Sequence, residues 1–166
     1  LLAAEQDAAR RRSMLAGKVE DMLNTVVRQI AFYEFETRVH QERVGGELTS
    51  NHLGKIWLEV QTESLGPAFQ LGPEYQNYWC YIPHFLHSPF YVYAYAFGDC
   101  LVNSLYAVYL DDQEGFQGKY FEMLKAGGTL RHKELLTPFG LDASDSDFWD
   151  KGLSVISTFI DELEAA

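Results

Sequence analysis

The chain has few cysteines and few basic residues, and each shortage excludes a class of protein. Only Cys80 and Cys100 occur among 166 residues, which excludes a disulfide-stapled scaffold and a Cys-x-x-Cys motif. Thirteen Lys and Arg residues against 24 Asp and Glu give a net charge of -11, which argues against binding to a nucleic-acid backbone. We therefore expect two buried thiols in a reducing, cytoplasmic compartment and no nucleic-acid partner.

Motifs of cofactor and membrane proteins are also missing. No glycine-rich phosphate loop is present, because Gly45-Gly46 and Gly127-Gly128 follow predicted helices and do not precede them. The longest apolar stretch is interrupted at Gly98-Asp99, so no membrane span is expected. No turn dipeptide is flanked by alternating apolar residues, so β-hairpins are not expected either.

The composition is that of a globular protein, and its periodicity is helical. Hydrophobic residues make up 47% of the chain and charged residues 22%, which is enough apolar surface for a packed core. We predict one all-α domain over residues 1–166, a bundle of about six or seven helices. The predicted helices cover residues 1–16, closed by Gly17, then about 19–44, 51–62, 89–111, 116–125 and a last helix after residue 147.

Apolar residues three and four positions apart predict which face of each helix is buried. The predicted inward residues are Met22, Leu23, Val26, Val27, Ile30, Tyr33 or Glu34, and Thr37 in the second helix, Leu53, Ile56, Trp57 and Val60 in the third, Tyr120, Phe121 and Leu124 in the fifth, and Trp149, Leu153, Ile156, Phe159, Ile160 and Leu163 in the last. The spacing of Ser144 and Asp147 is that of a capping box.

Residues 79–98 form the most unusual stretch, in which two histidines and two prolines precede a run of tyrosines. Pro89 predicts the first turn of a helix with Ser88 as its N-cap, because the missing N–H of proline costs nothing there. Tyr91 and Tyr95 would then lie four residues apart on one face. Imidazoles and phenols that converge at a helix start could donate hydrogen bonds to an oxyanion, or the phenols could simply be core residues with hydroxyls at the rim.

Glu36 and His40 are four residues apart on the second predicted helix. Such a pair could ligate a metal or could form a hydrogen-bonded pair. One Glu and one His are half of a zinc site, and no second pair with ligand spacing occurs in the sequence. A structural or substrate-facing contact is favoured, and we predict that this chain supplies no metal ligand.

The stretches Tyr81-Ile82-Pro83-His84-Phe85 and Pro89 to Gly98 resemble the oligoendopeptidase F family of thimet-oligopeptidase-like zinc metallopeptidases. Further matches are Arg28 to Glu36 with His40, Gly127-Gly128, Glu134-Leu135-Leu136, Phe148-Trp149 and Gly152-Leu153, so the resemblance covers about residues 9–164. The family's His-Glu-x-x-His motif and downstream glutamate ligand are absent from these 166 residues. The resemblance places both before Leu1, so it implies the C-terminal part of a larger α-helical peptidase.

The resemblance implies that the intact protein is a zinc oligoendopeptidase and that this chain forms one wall of its substrate channel. It implies oxyanion stabilisation by His84, Tyr91 and Tyr95, and substrate contacts from Tyr81, His87 and Tyr93. His87 stays an alternative to His84, because related enzymes differ in the spacing from the histidine to the first tyrosine. The implied partners are short peptides and the missing N-terminal part of the protein.

Two further expectations follow. The fragment alone is expected to be inactive, and its exposed interdomain face to favour self-association. A second hypothesis, from another class, is a non-catalytic helical module that binds a peptide or protein through exposed aromatic side chains; these are Phe69, Tyr75, Tyr78 and Trp79. Peptide binding without metal would favour this module, whereas cleavage only in the presence of the upstream half would favour the peptidase.

Overall fold

The computed structural model describes residues 2–111 and 113–166, and these residues contain helices and no strand. The α-helices are α1 (Ala8–Thr25), α2 (Val27–Arg43), α3 (Ser50–Leu65), α4 (His84–His87), α5 (Tyr93–Asp111), α6 (Phe116–Ala126), α7 (His132–Leu136) and α8 (Ser146–Glu164). Short 3-10 helices cover Leu2–Ala4, Gly66–Ala68, Pro73–Tyr81 and Thr137–Phe139. The all-α prediction is confirmed. Leu1 and Asp112, at the predicted ends of two helices, lie outside the described residues.

The described residues divide into two compact units. The central unit is Leu23–Phe97, and the terminal unit combines residues up to Met22 with residues from Gly98 onward. Each unit has its own hydrophobic cluster, and the single domain over residues 1–166 stays a prediction. Within the described ranges, every helix is too short or too polar to cross a membrane.

Aromatic side chains of three helices form the core of the central unit. Phe32 and Phe35 of α2 contact Trp57 of α3, with ring centroids 5.5 and 5.3 Å apart. Phe85 of α4 joins them, 5.7 Å from Phe32 and 5.0 Å from Phe35. Full burial of a large apolar side chain is worth about 1.5–3 kcal/mol, and the partly buried Phe85 gains a share of this that helps to hold a helix of a single turn in place.

The first two helices separate at Val26 and not, as predicted, at Gly17. α1 continues through Gly17, where a Cβ would meet nothing within 4 Å. A glycine inside an exposed helix costs about 1 kcal/mol relative to alanine, which weakens a helix without ending it. Gly17 was predicted to end the helix, but it only lowers the stability of the helix at that residue.

The break at Val26 also changes the face that α2 buries. Leu23, Val27 and Ile30 were predicted to face inward, but all three are exposed. The buried residues of α2 are instead Ala31, Phe32, Phe35 and Glu36. The apolar stripe of residues 22–30 therefore does not extend across the break, although Met22 and Val26 themselves are buried.

Helix α3 agrees with its prediction. The hydroxyl oxygen of Thr49 accepts the His52 N–H at 3.2 Å, which makes Thr49 the N-cap. Ile56, Trp57 and Val60 are buried as expected, whereas Leu53, also predicted to face inward, is only partly buried.

The predicted faces of α6 and α8 are partly wrong. Tyr120, Phe121 and Leu124 are exposed, and α6 instead packs Phe116 and Met123 against the core of the terminal unit. That core consists of Leu105, Leu136, Phe139, Leu141 and Phe148. In α8, Ile156 is buried as predicted, but Leu153 is exposed and Phe148 and Gly152 are buried. The N-cap of α8 is Asp145, which accepts the Asp147 N–H at 3.2 Å, and not Ser144.

Helices α5 and α8 approach closely in the terminal unit because Gly152 has no side chain. A Cβ at this position would lie 2.8 Å from the carbonyl oxygen of Cys100 and 3.1 Å from Oγ of Ser104. The buried Ser104 hydroxyl donates to the Phe148 carbonyl at 2.7 Å, which fixes the same contact. The glycine is thus required by packing and not by backbone conformation.

We expect Gly152→Ala to lower the free energy of unfolding by about 1–3 kcal/mol, because the new methyl group overlaps the backbone of α5. Gly17→Ala is the matched control, and it should raise stability by about 0.5–1 kcal/mol because its methyl group meets only solvent. Urea unfolding followed by circular dichroism measures both. Equal effects of the two substitutions would contradict the packing argument.

Candidate functional site

The segment that carries the histidines begins and ends in the core of the central unit. Ile82 and Val92 are both buried in its hydrophobic cluster, and residues between them form α4 and a turn. His84 is the first residue of α4 and is half-buried, with Phe85 beside it in the aromatic core. No helix was predicted between residues 62 and 89, whereas the structure has one helical turn here.

The helix that carries the tyrosines begins at Tyr93, so the predicted start at Pro89 with a Ser88 cap is wrong. Pro89 instead lies in a turn closed by a hydrogen bond from the Tyr91 N–H to the Ser88 carbonyl at 3.2 Å. Phe90, in the same turn, has a φ of 60° and is the only described non-glycine residue in the left-handed region. A right-handed α-helix cannot include such a residue, because its residues have φ of about −60°.

His84, Tyr91 and Tyr95 nevertheless come together. The His84 ring lies parallel to the Tyr91 ring, at an interplanar angle of 4° and a centroid distance of 6.0 Å. Tyr95 stands edge-on to both, 5.6 Å from each. The Nε2 atom of His84 is 3.1 Å from the Tyr95 hydroxyl oxygen, so one of these groups donates a hydrogen bond to the other. The three rings therefore form one compact cluster.

A cleft of about 440 Å³ opens beside this cluster in the central unit. Its lining residues come from α2, from the end of the Pro73–Tyr81 helix and from the start of α4 and α5; they are Arg28, Gln29, Phe32, Tyr81, Ile82, Pro83, His84 and Tyr95. Arg28 and Gln29 were not singled out from the sequence. The guanidinium of Arg28 lies 5.2 Å from the centre of the Phe32 ring, in cation–π contact.

The three residues predicted to contact substrate lie in different places. Tyr81 lines the cleft and is 78% exposed. Tyr93 packs edge-on against Tyr33 of α2 at 6.1 Å, outside the described lining of the cleft. His87 is exposed at the end of α4 and is likewise not among the described lining residues. The cleft therefore brings Tyr81 together with His84 and leaves His87 and Tyr93 aside.

The aromatic residues of the interaction-module hypothesis divide between surface and core. Phe69 and Tyr78 are exposed, whereas Tyr75 and Trp79 pack against the core of the central unit.

Cys80, predicted to be buried, is exposed near the end of a 3-10 helix, and Cys100 is buried as predicted; neither forms a disulfide. The prediction for Cys80 failed because its aromatic neighbours are themselves largely at the surface.

Glu36 is buried although it is a carboxylate, with 2% of its surface exposed. Its Oε1 atom accepts the backbone N–H of Phe90 at 2.9 Å, while its Oε2 atom is buried without a partner among the described residues. The ring of His40 contacts the Phe90 ring, with centroids 4.7 Å apart. Both side chains thus contact Phe90. In the described residues, no group of three or more His, Cys, Asp and Glu side chains could hold a metal ion.

Comparisons with known proteins identify relatives over nearly the whole chain. The model of peptidase family M3 matches residues 1–155. Oligoendopeptidase F, plasmid, of Lactococcus lactis subsp. cremoris is 32% identical over 99% of this chain and 27% of its own length. Oligopeptidase PepF of Bacillus subtilis is 28% identical over 96% of this chain and 24% of its own length.

A solved structure agrees with these relatives. The crystal structure of oligoendopeptidase-F from Enterococcus faecium superposes with a TM-score of 0.88 at 29% identity, over 99% of this chain and 32% of that one. The chain thus spans about a quarter of the length of the curated relatives it matches, 27% and 24% for the two named here.

Replacing the buried carboxylate should change how stability depends on pH. Desolvation raises the pKa of Glu36 above its ordinary value of 4.5, and the Phe90 N–H and the charges of His40 and His84 only partly oppose this. The folded protein therefore keeps the Glu36 proton to higher pH than the unfolded chain, and this contribution to stability is lost as the pH rises through the raised pKa.

We therefore expect the free energy of unfolding of the parent to fall, relative to that of Glu36→Gln, as the pH rises from 4.5 through the raised pKa of Glu36. Urea unfolding at several pH values measures the difference. Gln41→Ala, which changes an exposed and uncharged residue of the same helix, should give a difference that does not depend on pH. A parent that gains stability over Glu36→Gln with rising pH would contradict the raised pKa.

Proposed function

The chain belongs to peptidase family M3, and we propose that it forms one wall of the substrate channel of a zinc oligoendopeptidase that cleaves short peptides. The observation that supports this proposal is the convergence of His84, Tyr91 and Tyr95 beside an open cleft. The resemblance seen in the sequence agrees with the relatives, which are named as oligoendopeptidases.

The chemistry that these side chains offer is hydrogen-bond donation. When water attacks a peptide carbonyl, the carbonyl oxygen gains negative charge, and donors about 2.7–3.1 Å from it stabilise the transition state. If Nε2–H of His84 donates to Tyr95, the Tyr95 hydroxyl proton is left to donate to the substrate. Tyr91, which exposes 52% of its surface, lies outside the described lining of the cleft but adds a second phenol whose ring centroid is 5.6 Å from that of Tyr95.

Tyr81 and Arg28 give the cleft two further ways to hold a peptide. The phenol of Tyr81 can donate to a backbone carbonyl of the substrate, and the guanidinium of Arg28 can pair with a carboxylate. Arg28 also offers positive charge in a chain whose net charge is -11. We propose that both bind substrate, and that His87 and Tyr93 contribute only through more distant parts of a peptide.

Zinc is the cofactor that we propose for the intact enzyme, where it would activate the attacking water. Since no set of three ligands occurs in the part of the chain that the structure describes, we assign the metal to the length of the relatives that this chain does not span. Residues 1–166 then supply substrate contacts and oxyanion donors, and no metal ligand.

The remaining partner that we propose is the rest of the same protein. In the terminal unit, an apolar groove of about 280 Å³ runs between α5 and α6; it is lined by Val102, Leu105, Tyr106, Tyr109, Phe116 and Tyr120. Exposed apolar surface of this kind usually marks a contact face, and it would promote self-association of the chain alone.

The free thiols of Cys80 and Cys100 suit the cytoplasmic location that we propose.

Loss of a donor from the cluster should slow the full-length enzyme. We expect His84→Ala, Tyr91→Phe and Tyr95→Phe each to lower kcat/KM about 10²- to 10³-fold, as removal of an oxyanion donor does in other hydrolases. Cleavage of a fluorescence-quenched peptide measures the rates. Tyr75→Phe is the control, because this ring packs against the core and its change should leave the rate intact. Unchanged rates in all three cluster variants would contradict the proposal.

Residues 1–166 alone are expected to cleave no peptide, because they lack the zinc motif that the resemblance implies. Adding the upstream part of the protein should restore a peptidase activity that a metal chelator abolishes. The same quenched-peptide assay, run on the purified chain with and without zinc, measures this. Chelator-sensitive cleavage by the chain alone would contradict the assignment of the metal ligands to the rest of the protein.

A further inference from the structure

We propose that Glu36 is a positioning residue of the peptidase site, since its carboxylate holds the turn at Phe90 and thereby sets the place of Tyr91 beside His84. The inference rests on the proposed function and extends it to a residue that does not touch substrate. It explains why a carboxylate is buried in a helix face that otherwise packs aromatic rings.

The turn that precedes Tyr91 needs external support. The Ser88 carbonyl accepts the Tyr91 N–H, so Pro89 is the second and Phe90 the third residue of a four-residue turn. A positive φ at the third position normally requires glycine or asparagine, and here the residue is a phenylalanine with a φ of 60°. The sequence alone would not hold this conformation, because the side chain of Phe90 disfavours it.

Helix α2 supplies the support through three side chains on one face. Oε1 of Glu36 accepts the Phe90 N–H at 2.9 Å. The rings of Tyr33 and His40 contact the Phe90 ring, at centroid distances of 6.2 and 4.7 Å. Tyr33, Glu36 and His40 are spaced by three and four residues, so they lie on one face of α2. Together they contact both the backbone and the ring of Phe90.

The hydrogen bond from Phe90 is also the interaction that makes burial of Glu36 tolerable. A buried carboxylate is retained only where it satisfies a partner, and the described residues give Oε2 none. The bond joins residues 54 positions apart in the sequence and ends one residue before Tyr91. If it is removed, the backbone at Phe90 can relax toward negative φ, and the Tyr91 ring then leaves its parallel position against His84.

Two substitutions separate the hydrogen bond from the volume of the side chain. Glu36→Met fills a similar space but accepts no hydrogen bond, whereas Glu36→Gln keeps an acceptor oxygen and loses the charge. In the full-length enzyme we expect Glu36→Met to lower kcat about 10-fold or more with a smaller change in KM, and Glu36→Gln to stay within about 3-fold of the parent. Glu34→Met, at a partly buried position of the same helix where the carboxylate pairs with Arg38 and not with Phe90, should leave the rate unchanged.

A double-mutant cycle identifies the route of the effect. If Glu36 acts through Tyr91, Glu36→Met should cost less than about 3-fold in a Tyr91→Phe background, although it costs more in the parent. Independent, multiplicative losses would overturn the inference. Should Glu36→Met fail to fold, Glu36→Asp, whose carboxylate is one methylene too short to reach Phe90, takes its place in the cycle.

Hydrogen exchange provides a readout that does not depend on catalysis. We expect mass spectrometry of the peptide spanning residues 88–92 to show faster exchange in Glu36→Met than in Glu36→Gln or the parent. Equal exchange in all three would overturn the inference even if the proposed function stands. If exchange is faster in Glu36→Met but Tyr91→Phe is fully active, Glu36 does hold the turn at Phe90. The catalytic role proposed for Tyr91 would then be refuted.

Discussion

The packing of Phe85 into the aromatic core is the constraint on which the central unit depends. A helix of one turn has too few internal hydrogen bonds to be stable by itself, and α4 persists because its second residue lies against Phe32, Phe35 and Trp57. Consecutive residues of a helix point about 100° apart. With Phe85 directed into the core, His84 is directed toward the cleft, so an apolar contact orients the imidazole.

Helix α2 acts as the platform for the site. Its Phe32 and Phe35 meet Phe85, which fixes the histidine-bearing turn, and its Glu36 and His40 meet Phe90, which fixes the turn before Tyr91. The two halves of the ring cluster are thus tied to one rigid element. Donors held by one rigid element are fixed in advance, which is the condition under which they would accelerate the reaction that we propose.

Local patterns in the sequence predicted much of this structure. The buried face of α3 followed from spacing, since three of the four apolar residues predicted to face inward are buried. The association of His84, Tyr91 and Tyr95 was also predicted, although for a wrong reason. The phenols were placed on one helix, whereas Tyr91 lies in the turn before α5 and meets Tyr95 through the bend at Phe90.

The errors share a physical cause, which is that long-range contacts override local preference. No periodicity reveals that Phe90 adopts a positive φ, because the group that supports it, Glu36, is 54 positions away. The faces of α2 and α6 were misassigned because both helices carry more apolar residues than they bury. The resemblance to a family supplied the functional hypothesis that spacing could not, since a pair of phenols and an imidazole is common in packed cores.

The turn at Phe90 separates the residues of the cluster into two structural blocks, and this bears on how the site can evolve. Inserting one residue within a helix rotates every later side chain by about 100°, whereas a turn can absorb an extra residue by a local change of path. Between α4 and α5, lineages could therefore lengthen or shorten the chain without turning Tyr95 away from its cleft. Such a change would move Phe90 away from the Glu36 carboxylate and Tyr91 away from His84, so the two phenols of the cluster can be displaced independently of each other.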